Sequence, residues 1–510
     1  MVIISITMDL ALEEGYTYAG GLGVLEGDKF YAAGRMGLDY AVLTLFYRGG
    51  YVEYVQHNGE LIPIAQRQPM EFLDALKPLE VFTITLNGEE VVVRPWEYTY
   101  KSARALFFEA ISPYWVKALT DRLYIEGSLD EKFYKYVFLT KAAAKFIESK
   151  IGVENIDYID LQEAQAAFLP LILPMSNKYR LVIHTPGFWG HPMFPREFIE
   201  KEFGYKFVSP QVVLTELGLS LAQSGFVVSA KQIDIIKIIF PHYIAKIKQI
   251  TNGIDLERWM SPELRKLHFD GRLDFQAFKR IHGGLKGKLM NYLKGLKGFR
   301  DDEGIIISCS RRVVKYKRPE FITRFIEENS DLPAIYVLDG KAHPQDPDGL
   351  ERMKRMYELS KIYNNVFFLP KYDVKLAKLL LQGSDLNVFT PFSGWEACGT
   401  SYMKAGVNGV PSLSSRDGGA IELIEDGLNG WLFGKDLREL IDIYTNPKVE
   451  EINKADYAEF KSKLLSIIKM YQEDKDNFYE VGLKTIKTFT PKVDITRVLK
   501  EYYKDIVKAN

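Results

Sequence analysis

The sequence predicts an α/β protein made of two doubly wound domains, and three observations carry that expectation. The chain has 510 residues, 47% of them apolar and 13% aromatic, enough for more than one domain-sized core. Short β-branched and aromatic runs alternate with helical patterns in two separate blocks. Between the blocks lies a basic run that contains no acid.

The first block reads as strands at "VIISI" (2–6), "YAVLTLFYR" (40–48), "IDYIDL" (156–161), "YRLVIHT" (179–185) and "FVVSA" (226–230), with helical patterns between them such as "EKFYKYVFLTKAAAKFIESK" (131–150). The second block reads as strands at "GIIISCS" (304–310), "AIYVL" (334–338), "NVFFL" (365–369), "LNVFT" (386–390) and "VPSLS" (410–414). Strand-helix alternation of this kind builds parallel sheets covered on both faces. The expected division is a first domain over 1–290, a second over 291–485, and a C-terminal segment over 486–510 whose amphipathic helix, "ITRVLKEYYKDIVKA" (495–509), packs back onto the body. The run from Gln276 to Arg300, with Lys279, Arg280, Lys286, Lys288, Lys294, Lys297 and Arg300, is read as the connection between domains, because such runs are more often solvated helix faces than nucleic-acid patches.

Charge narrows the function. With 66 basic and 67 acidic residues the net charge is −1, which gives no bulk attraction to nucleic acid or to an anionic membrane. Two cysteines, Cys309 and Cys398, argue against a disulfide framework and fit a reducing cytoplasm. The N-terminus has no basic segment and meets an acid at Asp9, so it reads as a first strand and not a signal peptide, and no apolar run is long enough for a membrane span. The seven histidines show no metal-ligand spacing, and no metal is expected.

Ligands in open α/β sheets bind beyond the carboxyl ends of strands, so motifs there carry the most weight. "YAGGLGVLEGDKF" (18–30) puts Gly20, Gly21 and Gly23 before a helix starting near Val24, where the backbone can approach a ligand closely. "SCSRRVVKYKRPE" (308–320) follows a strand directly and places Arg311, Arg312, Lys315, Lys317 and Arg318 within eight residues, a set suited to phosphate oxygens. "GWEACGTSYMKAGVNGVP" (394–411) sets Lys404 among small residues, with Glu396 eight positions before it. A partly desolvated lysine there can form a Schiff base with an aldehyde cofactor, or it can simply pair with Glu396.

Seven segments in order resemble the α-glucan phosphorylases, especially their short bacterial and archaeal members: 18–52, "HTPGFWGH" (184–191), "ITNGIDLERW" (250–259), "SRRVVKYKRP" (310–319), "GKAHPQD" (340–346), "KYDVKLAKLLLQGSD" (371–385) and "WEACGTSYMKAGVNG" (395–409). The resemblance implies two Rossmann-like domains facing a cleft, the glycosyltransferase B arrangement. It implies pyridoxal 5′-phosphate attached to Lys404, with Arg311, Thr400, Ser401, Tyr372 and Trp259 around the cofactor and the Gly20–Gly21 loop amides facing the phosphate and the sugar. Arg312 and Lys317 would hold the substrate phosphate. His184, Asn252 and Glu396 would hydrogen-bond the glucosyl hydroxyls, assisted by the amides around Cys398 and Gly399. The reaction implied is reversible phosphorolysis of glycogen, starch or maltodextrin by inorganic phosphate, giving α-glucose 1-phosphate with retention. Many members are dimers, so a homodimer is among the expectations, although no segment reads as an interface.

Departures gather in the first domain. Asp9 stands where the family usually has glutamate, Gln162 and Gln165 replace asparagine and histidine, and Lys231 and Gln232 replace a Leu-His pair, which leaves acceptor length and identity open. "GGAIELIEDGLNGWLFG" (418–434) resembles nucleotide-sugar glycosyltransferases more than phosphorylases. The alternative reading is therefore a retaining nucleotide-sugar transferase with Glu422 on the donor's ribose. Against it, Tyr18 and Ala19 stand where such synthases carry a lysine before GGLG.

Overall fold

A computed structural model describes residues 1–298 and 304–507. The chain forms two compact units, one from 1–51, 65–251 and the C-terminal residues from 498, the other from 52–64 and 252–497.

In the first unit seven parallel strands run in the spatial order Ile247–Gln249, Ser224–Val227, Tyr179–Ile183, Ile156–Gln162, Val2–Ile6, Tyr40–Leu45 and Ala103–Ser112. The direction of winding reverses between Val2–Ile6 and Ile156–Gln162, which is the doubly wound plan. Antiparallel strands extend one edge, with Glu89–Tyr100 paired to Ala103–Ser112 and Phe82–Leu86 paired to Glu89–Tyr100. These strands were absent from the sequence reading; they are two-sided hairpin strands whose mixed burial gives a weak apolar signal.

The second unit holds a six-stranded, all-parallel sheet in the order Val366–Leu369, Ala334–Asp339, Ile305–Ser310, Leu386–Phe389, Ser412–Ser415 and Trp431–Phe433. Numbered along the chain this is 3-2-1-4-5-6, with the reversal between Ile305–Ser310 and Leu386–Phe389. Every residue of the first five strands is buried, which matches near-continuous apolar runs in the first four, whereas Ser412–Ser415 buries three serines.

The expected boundary at 290 is corrected to 251/252. The basic run is not a connection but the body of the helix Phe275–Lys297, whose apolar stripe buries Leu289, Met290 and Leu293 against Ile306, Ile335, Val337 and Phe367 of the second sheet. Lysines and glycines line its other side, so a helix with a narrow apolar face was mistaken for a linker. Arg300 lies outside the described residues. Residues 52–64 also belong to the second unit: Tyr54 donates through its hydroxyl to the Ala342 carbonyl at 3.0 Å.

The expected C-terminal segment at 486 is likewise shifted. The helix Lys475–Val493 stays with the second unit, and the return begins at 498, with helices over Ile495–Tyr502 and Lys504–Val507. Residues 508 and 509 of the expected tail helix lie outside the described residues. The tail is fastened to the first sheet by a buried ion pair. Arg180 donates from Nε and Nη2 to the two oxygens of Asp160 at 2.6 and 2.8 Å, and from Nη1 to the Tyr502 carbonyl at 2.7 Å. The Tyr503 hydroxyl donates to Asp160 at 2.6 Å. Removing one member leaves a charge buried and unpaired. Arg180→Ala is therefore expected to cost about 3 kcal/mol and to expose the tail, read by urea denaturation and by faster proteolysis after residue 498.

Candidate functional site

Two loops of the second unit leave its sheet side by side, because Ile305–Ser310 and Leu386–Phe389 flank the point where winding reverses. The first carries Arg311, Arg312 and Lys317, and the second leads to Glu396. They converge on one carboxylate. Arg311 Nη2 lies 2.5 Å from Glu396 Oε2, and Lys317 Nζ lies 3.7 Å from the same oxygen.

The convergence is enforced from several sides. The Arg311 guanidinium lies 3.8 Å over the Phe389 ring. Its amide donates to the Asp339 carbonyl, and the Val313 amide to the Lys341 carbonyl. This brings the backbones so close that a Cβ on Gly340, whose φ is +149°, would stand 1.9 Å from the Arg311 carbonyl oxygen. On the other loop, buried Asp417 accepts from the amides of Gly394, Glu396 and Gly418 at 2.7 to 2.8 Å. That carboxylate sets the path of the Glu396 turn, and it was missed in the sequence because "RDGG" reads only as a turn.

Desolvation dominates the electrostatics. Burial pushes the Lys317 ammonium down to about 7 against the pull of Glu396, and neighbouring Arg311 and Arg312 push it the same way. Burial would raise Glu396, but Lys317, Arg311 and Arg312 together hold it below the ordinary carboxylate value. Two buried polar atoms here have no hydrogen-bond partner, Arg311 Nη1 and Ser401 Oγ. An anion with several acceptor oxygens suits such a donor set.

Lys404 lies on the short helix Ser401–Gly406, its side chain buried and its Nζ 4.2 Å over the ring of buried Trp259. Asn408 holds that pair together. Its amide donates to the carbonyls of Trp259 and Lys404 at 2.9 and 2.8 Å, and its oxygen accepts from the Ser261 amide at 2.8 Å. Asn252 donates to the Cys398 carbonyl at 3.3 Å. The Cys398 thiol, 3.6 Å from the Tyr402 hydroxyl, is pushed up to about 12 by burial. Gly399 is demanded by packing, since a Cβ would stand 2.4 Å from the Phe389 ring. Thr400 is buried and its carbonyl accepts from the Lys404 amide. Tyr372 is half-buried on the turn before the helix Val374–Gly383.

The five-cation cluster does not act as one set. Lys315 turns to Asp348 at 3.9 Å and over Tyr444 at 4.7 Å, and Arg318 is buried in contacts of its own. Arg311, Arg312 and Lys317 remain as the cations around Glu396, with Arg312 half-buried.

The first unit carries its own polar group at the corresponding strand ends. Asp9 accepts from the Ala19 amide at 3.3 Å and the Tyr124 hydroxyl at 3.1 Å. His184 Nε2 and Gln162 Oε1 are 2.8 Å apart, so one of the departing residues is the histidine's own partner. Burial, assisted by Lys29, holds His184 well below its ordinary value. Gln232 donates to the Ile183 carbonyl at 3.0 Å and accepts from the Val228 amide at 2.8 Å, a structural role at the strand that leads to His184. Glu163 was not legible: it is buried with φ of +65° and is pushed up to about 8 by burial. A Cβ at Gly20 or Gly21 would meet nothing within 4 Å, so neighbouring protein atoms do not demand glycine there.

The family model for carbohydrate phosphorylases matches residues 357–505. Over 95% of its length the chain is 25% identical to the maltodextrin phosphorylase of Thermococcus litoralis, covering 68% of that protein. This chain is similar to the carbohydrate phosphorylases. It is also 24% identical to the glycogen phosphorylase of Aquifex aeolicus, over 95% of this chain and 83% of that one, and 23% identical to the glycogen phosphorylase of Mycobacterium tuberculosis, over 95% and 68%. No helix among the described residues is long and apolar enough to cross a membrane.

The depressed Lys317 value has a consequence for stability. In the folded chain its proton is lost as pH rises through about 7, whereas the unfolded chain keeps it to the ordinary 10.5. The unfolded state therefore binds more protons in that window, and the residue's contribution to stability rises with pH there. Urea denaturation at pH 7 and pH 9 is expected to show the wild type gaining on a Lys317→Met variant between the two.

Proposed function

We propose that the chain is an α-1,4-glucan phosphorylase that uses pyridoxal 5′-phosphate and inorganic phosphate to release terminal glucose as α-glucose 1-phosphate with retention. The observation that carries this reading is the convergence of Arg311, Lys317 and Glu396 at the switch point of one sheet, in a chain whose relatives are named maltodextrin and glycogen phosphorylases.

The residues fit the cofactor. Lys404 is the attachment point, on the face of Trp259. Arg311 Nη1 and Ser401 Oγ, the two unpartnered buried atoms, are donors for the cofactor phosphate beside Thr400, with Tyr372 near the ring. When bound, the cofactor supplies a phosphate that takes or gives a proton near neutral pH.

Arg312 and Lys317 take the inorganic phosphate. Two neighbouring phosphates repel strongly, and in a desolvated site only cations on fixed backbones offset that repulsion without reorganising. Both contacts of Glu396 fall on Oε2, which leaves Oε1 for a glucosyl hydroxyl. By the resemblance to the phosphorylases, Asn252, His184 and the amides around Cys398 and Gly399 are assigned to the sugar, and the Gly20–Gly21 amides to phosphate and sugar. A proton carried by the inorganic phosphate passes to the departing glycosidic oxygen, so no carboxylate pair of the glycosidase kind is required. Glycogen, starch or maltodextrin are the glucan substrates on this reading. The first-unit group of Asp9, Gln162, Glu163 and Gln165 sets the acceptor end. A cytoplasmic, homodimeric enzyme is part of the same proposal.

Borohydride reduction of cofactor-saturated protein, followed by peptide mass mapping, is expected to find the label on Lys404. Lys404→Ala is expected to lose at least a thousandfold in glucose 1-phosphate formed from maltodextrin and phosphate (roughly 4 kcal/mol). An unlabelled Lys404, or a Lys404→Ala variant that keeps full activity with a nucleotide sugar as donor, overturns the reading in favour of the nucleotide-sugar transferase.

A further inference from the structure

Arg318 follows Lys317 directly, yet it is only 1% exposed, and its guanidinium bonds to residues other than Glu396. Its backbone adopts φ 47° and ψ 51°, a left-handed conformation that is unfavourable for a residue with a long side chain and persists only where contacts enforce it. The contacts are on hand. Nε donates to the Thr390 carbonyl at 2.9 Å and Nη2 to the Pro391 carbonyl at 3.0 Å. Nη1 donates to Asp456 at 2.8 Å and Asn453 at 3.1 Å, both on the helix Lys448–Glu473. The rings of Phe321 and Phe392 lie 4.3 and 5.4 Å from the guanidinium carbon.

The same two segments are joined in the reverse direction. Thr390 donates through its hydroxyl to the Lys317 carbonyl at 2.8 Å, and the Phe392 amide donates to the Tyr316 carbonyl at 2.7 Å. The Thr390 hydroxyl also lies 3.3 Å from the Arg318 carbonyl, so five contacts zip residues 316–318 to residues 390–392. One zipped segment carries Lys317, and the other leads four residues later to Glu396.

We propose that Arg318 is a positioning residue of the anion site, which acts through Lys317: by zipping the two loops at the switch point it holds the Lys317 ammonium in its buried place beside Glu396. This rests on the reading that Lys317 meets inorganic phosphate. A planar fork that serves two carbonyls and a carboxylate at once cannot be replaced by lysine. The zipper also brings Lys317 a counter-charge that residues 311–319 of its own loop lack, since the neighbouring loop carries Glu396 to 3.7 Å.

The test compares wild type, Arg318→Lys and Thr390→Val, the last removing only the hydroxyl that holds the Lys317 carbonyl. Competitive labelling with trace acetic anhydride across pH, read on the Lys317 peptide by mass spectrometry, needs no enzymatic activity. The wild-type midpoint is expected near pH 7, and both variants are expected to move it up by about one unit or more as the amine reaches water. In phosphorolysis the KM for inorganic phosphate is expected to rise about tenfold, with the KM for maltodextrin changed less than about twofold. If both variants fold with the labelling midpoint in place, Arg318 is structural only and the inference is overturned. Should Arg318→Lys fail to fold, Thr390→Val decides by the same readout. A wild type that makes no glucose 1-phosphate defeats the phosphorylase reading, while the labelling midpoint still decides the part played by Arg318.

Discussion

The reversal of winding about Ile305–Ser310 is the constraint on which the candidate site depends. Helices leave the two central strands toward opposite faces of the sheet, so the carboxyl ends of Ile305–Ser310 and Leu386–Phe389 are not covered by a shared crossover. Two loops are free to descend from them side by side. One brings guanidinium and ammonium groups, and the other brings a carboxylate with glycine and hydroxyl neighbours. The same reversal between Val2–Ile6 and Ile156–Gln162 places Asp9 near the Gln162–Gln165 turn in the first unit.

Concentrating Arg311, Arg312 and Lys317 in a desolvated place is unfavourable, and the fold meets the cost in three ways. Glu396 provides a shared counter-charge on a single oxygen. Phe389 gives the Arg311 guanidinium an aromatic face. Burial pushes Lys317 toward its neutral form, so the cluster carries less charge than its composition suggests until an anion arrives. Asp417, Gly340 and the contacts of Arg318 fix the backbones that carry these charges, so an oxyanion bound there, as proposed, would meet groups already in place.

Much of this was legible in the sequence, for identifiable reasons. Most strands of the two parallel sheets were visible as apolar runs, though Ala103–Ser112, Ile247–Gln249 and Trp431–Phe433 were not, and the positions of Arg311 and Lys317 just after a strand follow from that alternation. The helix Phe275–Lys297 was misread because its lysines and glycines outnumber its apolar stripe. The edge strands Phe82–Leu86 and Glu89–Tyr100 escaped because strands of mixed burial lack a continuous apolar run. Arg318 looked like a fifth anion ligand, since composition cannot tell a guanidinium that faces the site from one that turns into the fold. Asp417, Asn408 and Glu163 went unnoticed because their importance lies in main-chain contacts and backbone angles, which no local pattern encodes.

The central claim is that the Arg311 to Lys317 loop and the Glu396 turn together form a binding site for a tetrahedral oxyanion. Anomalous diffraction from crystals of the full chain soaked in selenate tests it most directly. A selenate bound with its oxygens within hydrogen-bonding distance of Arg312 and Lys317 is expected, its selenium peak lost in Arg312→Gln at the same selenate concentration. Selenium found elsewhere, or a peak that survives Arg312→Gln unchanged, would contradict it.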